Sequence, residues 1–574
     1  MTKTRARSLA GLMVLLITTA AALVWLAALQ PEMGDQLRSR FQSHWPVLPS
    51  AAAGQNGPPG TVSVQVDPKA VGPRISPLIY GVAAADPQVV RALGATLDRS
   101  GGNPSSTYNW VNGHAWNAGR DWEFRNTNYS GQGGSAADAA VGDARSAGAV
   151  PLLTVPTLGF VARNDDNQTR SRNVPGQGGP PLRAGSPAIG GYDPAANRQA
   201  TSLPSFARKP GPLATTPSQN SQAVYQNEWV HHLVTQFGLA SAGGVQYYAM
   251  DNEPDLWSSS HTDLHPARMS YDDMLANFEE YATMVKEQDP SAEVLGPDVS
   301  GWTGYMYSDL DRGSDNFATH ADRAAHGGDP FLAWWLGQVA RADAARGHRT
   351  LGLLDVHYYP QAEGVFSQAS DPATQALRIR SVRSLYDRGY RDESWIADQV
   401  ALIPRLKDWI NQRYPGTGLA ITEYNWGGER DASGAVALAE VLGTFGREGV
   451  QLASYWTYPP PDSPAGAAFR LYRNYDGQGG AFGDVSLPAV AGNSLIAAYA
   501  ARHSDGGEVD VILANQSTTQ PARVSVATGG GTYHATQFAV SPGSSRIQPS
   551  AMASPGTAVT LPPLGLSLVR LTPG

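Results

Sequence analysis

Short apolar runs and amphipathic helical stretches alternate along most of the chain. The apolar runs have the length and composition of buried strands, and they fall at 78–82, 95–99, 151–157, 247–253, 294–298, 353–358, 419–423 and 452–457. Helical periodicity between the runs predicts helices at 222–239, 270–288, 331–346, 395–413 and 435–447. Eight strands separated by helices predict an α/β fold of the (β/α)8 TIM barrel type over residues 76–485, with a doubly wound sheet as the alternative.

The pattern changes after the barrel region. Beyond a predicted helical piece near Ser494–Arg502, alternating runs at 509–514, 523–527, 533–540 and 567–571 are separated by Gly, Ser and Pro. Alternation with such turns predicts an all-β sandwich over 486–574. The isolated run 61–66 is predicted to join that sandwich as an extra strand, within the segment 61–75.

The N-terminal segment is set apart from the fold. Lys3, Arg5 and Arg7 precede an uncharged stretch over 8–29, which predicts either a signal peptide or a membrane anchor in residues 1–30. Residues 31–60 are rich in Ala, Pro, Gly, Ser and Gln and are predicted to form a flexible linker. The protein is therefore expected to be extracellular or periplasmic, and tethered to the membrane if the segment is not cleaved.

Composition narrows the chemistry. Lys and Arg number 42 against 50 for Asp and Glu, and the resulting net charge of −8 argues against nucleic acid as a partner. Cysteine is absent from the sequence, which excludes disulfides, thiolate nucleophiles and Cys-ligated metals. The 14 Trp and 23 Tyr residues supply flat rings of the kind that stack on sugars.

Two glutamates end predicted barrel strands. The fourth run ends at Glu253 and the seventh at Glu423, and the carboxyl ends of barrel strands form the active-site face. The two strand ends lie across the mouth from one another, so the carboxylates would flank a glycosidic bond. Retaining glycosidases hold such a pair about 5–5.5 Å apart. Each glutamate taken alone would equally suit a helix terminus or an ion pair.

Five motifs resemble glycoside hydrolase family 44. They are RSGGN (99–103), DNEPDLW (251–257), DVHYYP (355–360), ESWIAD (393–398) and YPGTGLAITEYNWGGE (414–429). The resemblance runs from about Leu78 to Pro461 and includes His261 and His265 after the fourth strand.

The resemblance implies a barrel with a β-sandwich and an endo-β-1,4-glucanase active on xyloglucan or soluble cellulose. By match to the motifs, Glu253 would be the acid/base and Glu423 the nucleophile, and Asn252 would bind the sugar hydroxyl beside the anomeric carbon. The resemblance also allows for a structural calcium ion, for which no ligands are assigned. No cofactor is expected for catalysis.

Further rim residues are candidates for substrate binding. Arg99 would orient Glu423 and lower its pKa, or else form a structural ion pair with Asp98 or another carboxylate. His357 would bind the nucleophile or the substrate, unless it is a buried structural histidine. The remaining candidates are Asn103, Trp110, Trp257, Tyr358, Tyr424, Trp426 and Trp456. About half of the tryptophans are expected to lie in the core instead.

The sequence leaves other functions open beside the endoglucanase. A non-catalytic glycan-binding protein would have the cleft but no hydrolytic activity. A glycosidase that acts on mannan or xylan would have the cleft and the activity, with a different substrate. A structural cell-envelope role would leave the paired glutamates unexplained. His261 and His265 have the spacing of a zinc pair but lack the glutamate of the metalloprotease motif between them, so a metal hydrolase is the least favoured reading. A monomer is expected.

Overall fold

The computed structural model describes most of the chain after residue 60. The described residues are 61–70, 72–113, 115–117, 119–122, 124–128, 136–166, 202–216, 221–530, 532–552 and 558–574. The predicted anchor or signal peptide (1–30) and linker (31–60) lie outside them. Among the described residues, no helix combines the length and the apolar character needed to cross a membrane.

Eight parallel strands close into a barrel, as the alternation of runs predicts. They are β1 (Gly81–Ala83), β2 (Leu97–Ser100), β3 (Val150–Val155), β4 (Tyr247–Met250), β5 (Glu293–Val299), β6 (Leu353–Tyr358), β7 (Gly418–Tyr424) and β8 (Leu452–Tyr455). The ring closes where Ser454 of β8 pairs with Gly81 of β1. The TIM-barrel prediction is confirmed.

Each barrel strand is followed by a helix of the outer layer. The helices are α1 (Pro87–Leu93), α2 (Ala136–Ser146), α3 (Gln226–Phe237), α4 (Tyr271–Gln288), α5 (Phe331–Arg346), α6 (Leu402–Arg413), α7 (Ala432–Glu448) and α8 (Pro464–Arg473). Ser270 and Asp273 cap α4 reciprocally, as the sequence predicts.

Further short elements decorate the rim. They are helices at Trp257–Ser260, Trp302–Met306, Ala321–Ala325 and Pro372–Ser381, and strands at Ala115–Asn117, Asn126–Asn128, Phe160–Ala162, Ser202–Phe206 and Val224–Tyr225. Phe160–Ala162 pairs antiparallel with Ser202–Phe206, which joins two described parts of the segment between β3 and α3.

Apolar side chains fill the lower interior of the barrel. The layer consists of Leu97, Leu152, Ala249, Leu295, Leu353, Ala420 and Leu452. Because side chains alternate along a strand, residues two positions further on face the same interior. In β2 and β6 these are Arg99 and Asp355, both fully buried, so the barrel interior becomes polar towards the carboxyl ends of the strands.

An irregularity in β7 turns Glu423 towards the interior. Val356 of β6 pairs with Ile421, whereas the next residue, His357, pairs with Glu423, which leaves Thr422 as an extra residue in β7. An extra residue of this kind bends a strand and reverses the alternation of its side chains beyond that point. Glu423 therefore faces the mouth of the barrel, while Thr422 hydrogen-bonds within the interior.

Two further sheets form the sandwich. One has the order Ala489–Ala491, Thr61–Val66, Ala522–Ala527, Val559–Leu561. The other has the order Val485–Leu487, Ile496–Arg502, Val509–Asn515, Leu566–Pro573, Tyr533–Val540, Ile547–Ala551. Alternate residues of both sheets share one core, and the predicted C-terminal sandwich is confirmed. The strand Thr61–Val66 lies inside the first sheet, antiparallel to Ala489–Ala491 and parallel to Ala522–Ala527.

One predicted helix is wrong. The segment near Ser494–Arg502 forms the strand Ile496–Arg502, which pairs along its whole length with Val509–Asn515. Its alanine-rich sequence, IAAYAAR, favours a helix locally, but a strand beside it offers a complete set of backbone hydrogen bonds.

Helix α7 joins the barrel to the sandwich. Gly443 lies against the ring of Tyr499, where an added Cβ would be 2.3 Å from the ring Cγ. Thr444 and Tyr499 hydroxyls lie 3.1 Å apart, and Gln516 donates to both carboxyl oxygens of Glu440 at 2.9 Å. The sandwich is thus packed on the barrel wall next to β7, the strand that ends in Glu423.

Candidate active site

The end of β4 carries Glu253 into the mouth of the barrel. Asp251 and Glu253 have φ values of 67° and 47°, in the left-handed region that residues other than glycine rarely adopt. The Glu253 N–H donates to the carbonyl oxygen of Asp298 at 2.9 Å, which holds this conformation. The Glu253 side chain keeps 15% of its surface exposed, so it remains accessible from the mouth.

Glu423 is held by two donors. Arg99 Nη1 donates to Glu423 Oε1 at 2.7 Å, and the Tyr359 hydroxyl donates to Oε2 at 2.7 Å. The Glu423 side chain is only 6% exposed. The predicted contact between Arg99 and Glu423 is present. Of the alternative, the pair with Asp98 is wrong, because Asp98 instead accepts the N–H of Ala85, but Arg99 does pair with another carboxylate, Asp298, at 3.4 Å.

His357 lies between the two carboxyl groups. Its Nδ1 is 3.0 Å from Glu253 Oε1 and 3.5 Å from Glu423 Oε2. One ligand atom from each of these three side chains lies within 4.8 Å of the others. The separation of the carboxyl groups suits a retaining glycosidase, because inverting enzymes need about 6.5–9.5 Å to admit a water molecule.

Burial and charge act against one another at the site. Burial raises the pKa of Glu423, and the positive charges of His357 and Arg99 oppose that rise. Burial also disfavours the charged form of His357, but Glu423 and Asp298 outweigh it and raise the pKa of His357 well above its usual value. The charges of His357 and Arg99 likewise overcome burial at Asp298 and lower its pKa.

A chain of amide contacts fixes Asn252. Its Oδ1 accepts from Arg99 Nη2 at 3.0 Å, and its Nδ2 donates to Asn103 Oδ1 at 3.1 Å. Asn103 Nδ2 in turn donates to Asp121 Oδ2 at 2.6 Å. The second Asn252 amide hydrogen is left for a ligand, whereas the amide of Asn103 is engaged by protein groups at both ends.

Trp456 is the predicted aromatic residue that stays partly exposed at the mouth. It follows β8, and an added Cβ on Gly102 would come within 2.4 Å of its six-membered ring. Gly102 has φ 87° and directly precedes Asn103, so Trp456 packs beside the residues that hold Asn252. A half-buried indole at the mouth of the barrel is suited to stack on a sugar ring.

Three other tryptophans lie in the core, which corrects their prediction as substrate-binding residues. Trp110 is 2% exposed and donates to the carbonyl of Tyr225, and Trp426 is 3% exposed and donates to Ser381 Oγ. Trp257 is 1% exposed and donates to the carbonyl of Asn252, so it supports the site from behind. Their rings are covered by protein and present no face to a ligand.

Tyr358 and Tyr424 also point away from the mouth. Tyr358 packs on Trp426 with ring centroids 5.5 Å apart, and Tyr424 packs edge-on against Phe445 of α7 at 5.0 Å. Both follow residues that face inward, and alternation along the strand turns them towards the helices. Their assignment to the substrate site is therefore corrected.

Sequence reasoning missed Tyr359, Asp298 and Asp355. Tyr359 lies one residue beyond Tyr358, inside the quoted motif DVHYYP, and alternation from His357 would have selected it. Asp355, in the same motif, accepts from Thr422 Oγ1 at 2.8 Å, and burial raises its pKa to about 8. Asp298 escaped notice because Pro297 pairs with Asp355 and Val299 with the next residue of β6, which makes Asp298 an extra residue.

The site residues do not suit a metal ion. In the described part of the chain, the group of three potential ligands close enough to share an ion is Glu253, His357 and Glu423. The Arg99 guanidinium already occupies one Glu423 oxygen, and a second cation there would be repelled. His261 is fully buried, and burial lowers its pKa to about 3. It does not form such a group with His265 among the described residues.

These features together define a class of protein. A (β/α)8 barrel with two glutamates at the carboxyl ends of β4 and β7, one held by arginine and tyrosine, is the arrangement of a retaining glycosidase.

Comparisons with known proteins identify the family. The family model for glycoside hydrolase family 44 matches residues 115–362. The chain is 34% identical to CelM2, a bifunctional glucanase-xylanase from a metagenome library, with 90% of this chain and 100% of that chain covered and a TM-score of 0.77. It is 30% identical to a Paenibacillus polymyxa xyloglucanase from the same family, with 90% and 100% covered and a TM-score of 0.77.

A curated relative is longer than this chain. The chain is 32% identical to Endoglucanase A of Paenibacillus lautus over 470 residues, which are 78% of this chain and 62% of the relative. Given these matches, the chain belongs to glycoside hydrolase family 44.

Proposed function

We propose that the protein is an exported retaining endo-β-1,4-glucanase that hydrolyses β-glucan such as xyloglucan or soluble cellulose by double displacement. The observation that carries the proposal is the carboxyl pair Glu253 and Glu423, linked through His357 at 3.0 and 3.5 Å. One oxygen of each carboxyl group lies within 4.8 Å of the other, a spacing typical of retaining enzymes, and this supports a covalent intermediate.

The surroundings of the two glutamates assign their roles. Glu423 accepts from Arg99 and Tyr359, and these donors stabilise a carboxylate at the atom that attacks the anomeric carbon. Glu253 is the more exposed of the two and lies where a leaving-group oxygen can approach. Asn252 has an amide hydrogen available for the sugar hydroxyl next to the anomeric carbon.

The reaction then proceeds in two steps. Glu423 forms a bond to the anomeric carbon as the glycosidic C–O bond breaks, and Glu253 gives its proton to the departing oxygen. Glu253, now a carboxylate, takes a proton from water, and the resulting oxygen attacks the anomeric carbon and releases Glu423. Both carboxyl groups return to their starting states, and catalysis needs no cofactor.

The relatives guide the choice of substrate. A relative at 30% identity is described as a xyloglucanase and another at 34% as a glucanase-xylanase, so β-glucan is the first candidate and xylan the second. Mannan remains a third polymer to compare. The substrate of this chain is a proposal, because the chain covers 62% of its curated endoglucanase relative.

Replacement of the nucleophile tests the function. Glu423→Ala should abolish hydrolysis, because Glu423 alone can form the glycosyl bond. Reducing ends and chain length would be followed with xyloglucan, carboxymethyl cellulose, xylan and mannan, and folding by circular dichroism. Rapid shortening of one polymer by wild type only supports the proposal. Near wild-type hydrolysis by a folded Glu423→Ala protein contradicts the role, and binding without hydrolysis by wild type would favour a glycan-binding protein.

Replacement of the acid/base tests the second role. Glu253→Gln should lower kcat/KM on the natural polymer by about 10²–10⁴-fold, since general acid catalysis contributes that much. A dinitrophenyl cellobioside needs little acid help, so the first-turnover release of dinitrophenol should be largely kept. Equal losses on both substrates would contradict the assignment of Glu253 as the acid.

We also propose that the N-terminal segment exports the protein. The support is the sequence itself, with Lys3, Arg5 and Arg7 ahead of an uncharged stretch at 8–29. Mass spectrometry of the mature N-terminus and membrane fractionation distinguish a cleaved signal peptide from a retained anchor.

The last proposals concern assembly and calcium. We propose a monomer, which light scattering of a soluble chain would test. A structural calcium ion, implied by the resemblance alone, would be supported if a chelator lowers the melting temperature and added calcium restores it.

A further inference from the structure

Asp298 lies under both catalytic glutamates without facing the cleft. It is the extra residue near the end of β5, with φ 59°, and its side chain is fully buried. Left-handed backbone at a residue other than glycine carries strain, and such strain persists where surrounding contacts hold it. The contacts of Asp298 therefore indicate what its conformation achieves.

Three contacts converge on Asp298. Its Oδ1 is 2.5 Å from His357 Nε2, and its Oδ2 is 3.4 Å from Arg99 Nη2. Its carbonyl oxygen accepts the N–H of Glu253. One residue thus touches the group that bridges the glutamates, the cation that binds Glu423 and the backbone that aims Glu253.

We propose that Asp298 is a positioning residue that holds His357 in its protonated form and, through the charge balance of the site, keeps Glu253 protonated, so that Glu253 enters the reaction as an acid. The inference rests on the proposed function of the site. The Asp298 carboxylate forms an ion pair with His357 Nε2 at 2.5 Å, which favours a proton on that nitrogen, and the other ring nitrogen, Nδ1, faces Glu253 Oε1 at 3.0 Å. With both ring nitrogens of His357 protonated, Nδ1–H donates to Glu253 Oε1, and the acidic proton of Glu253 is carried by its other carboxyl oxygen.

The charges around His357 support this arrangement. The groups that face it are Glu253 from β4, Asp298 from β5, Glu423 from β7 and Arg99 from β2. With His357 protonated, two positive charges balance Glu423 and Asp298, and the buried set is neutral only while Glu253 keeps its proton. An unbalanced buried charge is costly. Without the negative charge of Asp298, these groups would be neutral once Glu253 has lost its proton, so the carboxylate form of Glu253 would be favoured.

Asp355 precedes His357 by two residues on β6, so the two side chains lie on the same face of the strand. Burial, together with the charge of Asp298, raises its pKa to about 8, so it is neutral below that pH and adds no charge to the balance. The raised pKa of His357 and the lowered pKa of Asp298 agree with an ion pair between these two residues.

The test is Asp298→Asn, which keeps the size of the side chain and removes its charge. The pH dependence of kcat/KM on the natural polymer should lose its alkaline limb about one pH unit or more below wild type, since a nearby charge shifts a titration by that amount. At pH 7 the loss should be larger on the polymer than on a dinitrophenyl cellobioside, because only the polymer needs the acid.

Asp355→Asn is the matched control. It makes the same chemical change in the same barrel interior, but Asp355 bonds to Thr422 and touches neither glutamate. In the pH profile of Asp355→Asn, measured below pH 8, the alkaline limb should stay at the wild-type position. A profile of Asp298→Asn that superimposes on wild type after scaling would overturn the inference, whereas an inactive wild type would instead overturn the proposed function.

A measurement on the unmodified chain covers the case in which Asp298→Asn fails to fold. In ¹⁵N-histidine-labelled wild type at neutral pH, one imidazole should show both ring nitrogens protonated, and this signal should be missing from His357→Gln. A His357 imidazole with an unprotonated Nε2 would overturn the inference, because Asp298 would then have no proton to hold.

Discussion

Neighbouring side chains on one strand point in opposite directions at this site. His357 and Tyr359 of the motif DVHYYP face the mouth, while Tyr358 between them packs on Trp426. The same holds in β7, where Glu423 faces inward and Tyr424 outward. A residue type within a motif therefore says little about contact with substrate until the direction of the strand and its bulges are known.

The two adjacent tyrosines give a matched prediction. Tyr359→Phe removes the hydroxyl that donates to Glu423 at 2.7 Å, and a hydrogen bond to a charged group is worth about 1.5–3 kcal/mol. We expect kcat/KM to fall about 10- to 100-fold. Tyr358→Phe, one residue away, should leave kcat/KM within about 2-fold of wild type, because its ring faces the helices. Equal losses for the two variants would contradict the assignment.

Irregular strand ends build the catalytic centre at the scale of elements. β4 ends in left-handed residues, β5 contains Asp298 as an extra residue, and β7 contains Thr422 as another. Each departure from regular alternation brings a polar side chain into the mouth or into the barrel interior just below it. The regular parts of the same strands carry the apolar layer of the barrel interior. The packed layer and the polar site therefore lie at successive levels along the barrel axis.

Packing of α7 against the sandwich leads to a prediction about glycine. Gly443→Ala would place a Cβ 2.3 Å from the Tyr499 ring, and such overpacking costs about 1–3 kcal/mol. We expect a lower melting temperature, although alanine is the better helix former. Gly142→Ala in α2 is the control, since nothing lies within 4 Å of its added Cβ. It should stabilise by about 0.5–1 kcal/mol. Stabilisation by both variants would refute the packing argument.

At the scale of the whole molecule, the sandwich is bound to the barrel rather than tethered beside it. Its strand Thr61–Val66 precedes the barrel in the chain, and its other strands follow the barrel, so the two ends of the fold are closed by one sheet. Its six-stranded sheet packs on α7, directly behind the strand that ends in Glu423. The sandwich therefore supports the barrel wall at β7, the strand that carries Glu423.

A buried glutamate at this interface makes stability depend on pH. Burial raises the pKa of Glu440 to about 8 in the folded protein, whereas an unfolded glutamate titrates at about 4.3. Between these values the unfolded chain has released the proton and the folded one has kept it, so this group lowers stability as pH rises.

Glu440→Gln should remove that contribution. The melting temperature of the variant, relative to wild type, should rise between pH 5 and pH 8. Glu448→Gln, at the partly exposed end of the same helix, serves as control and should show no such trend. A constant difference between Glu440→Gln and wild type over this range would refute the argument.

The sequence by itself determined the barrel, the sandwich and the two catalytic glutamates as candidates. Strand and helix periods are local properties, and a glutamate after an apolar strand is visible in one dimension. Only the tertiary structure decided which side chains meet. Asp298 reaches His357 and Arg99 because it is an extra residue in β5, and three candidate tryptophans are buried by the packing of the fold. The segment Ile496–Arg502 became a strand because a neighbouring strand satisfied its backbone. Contacts across a fold depend on register and packing, which no local pattern encodes.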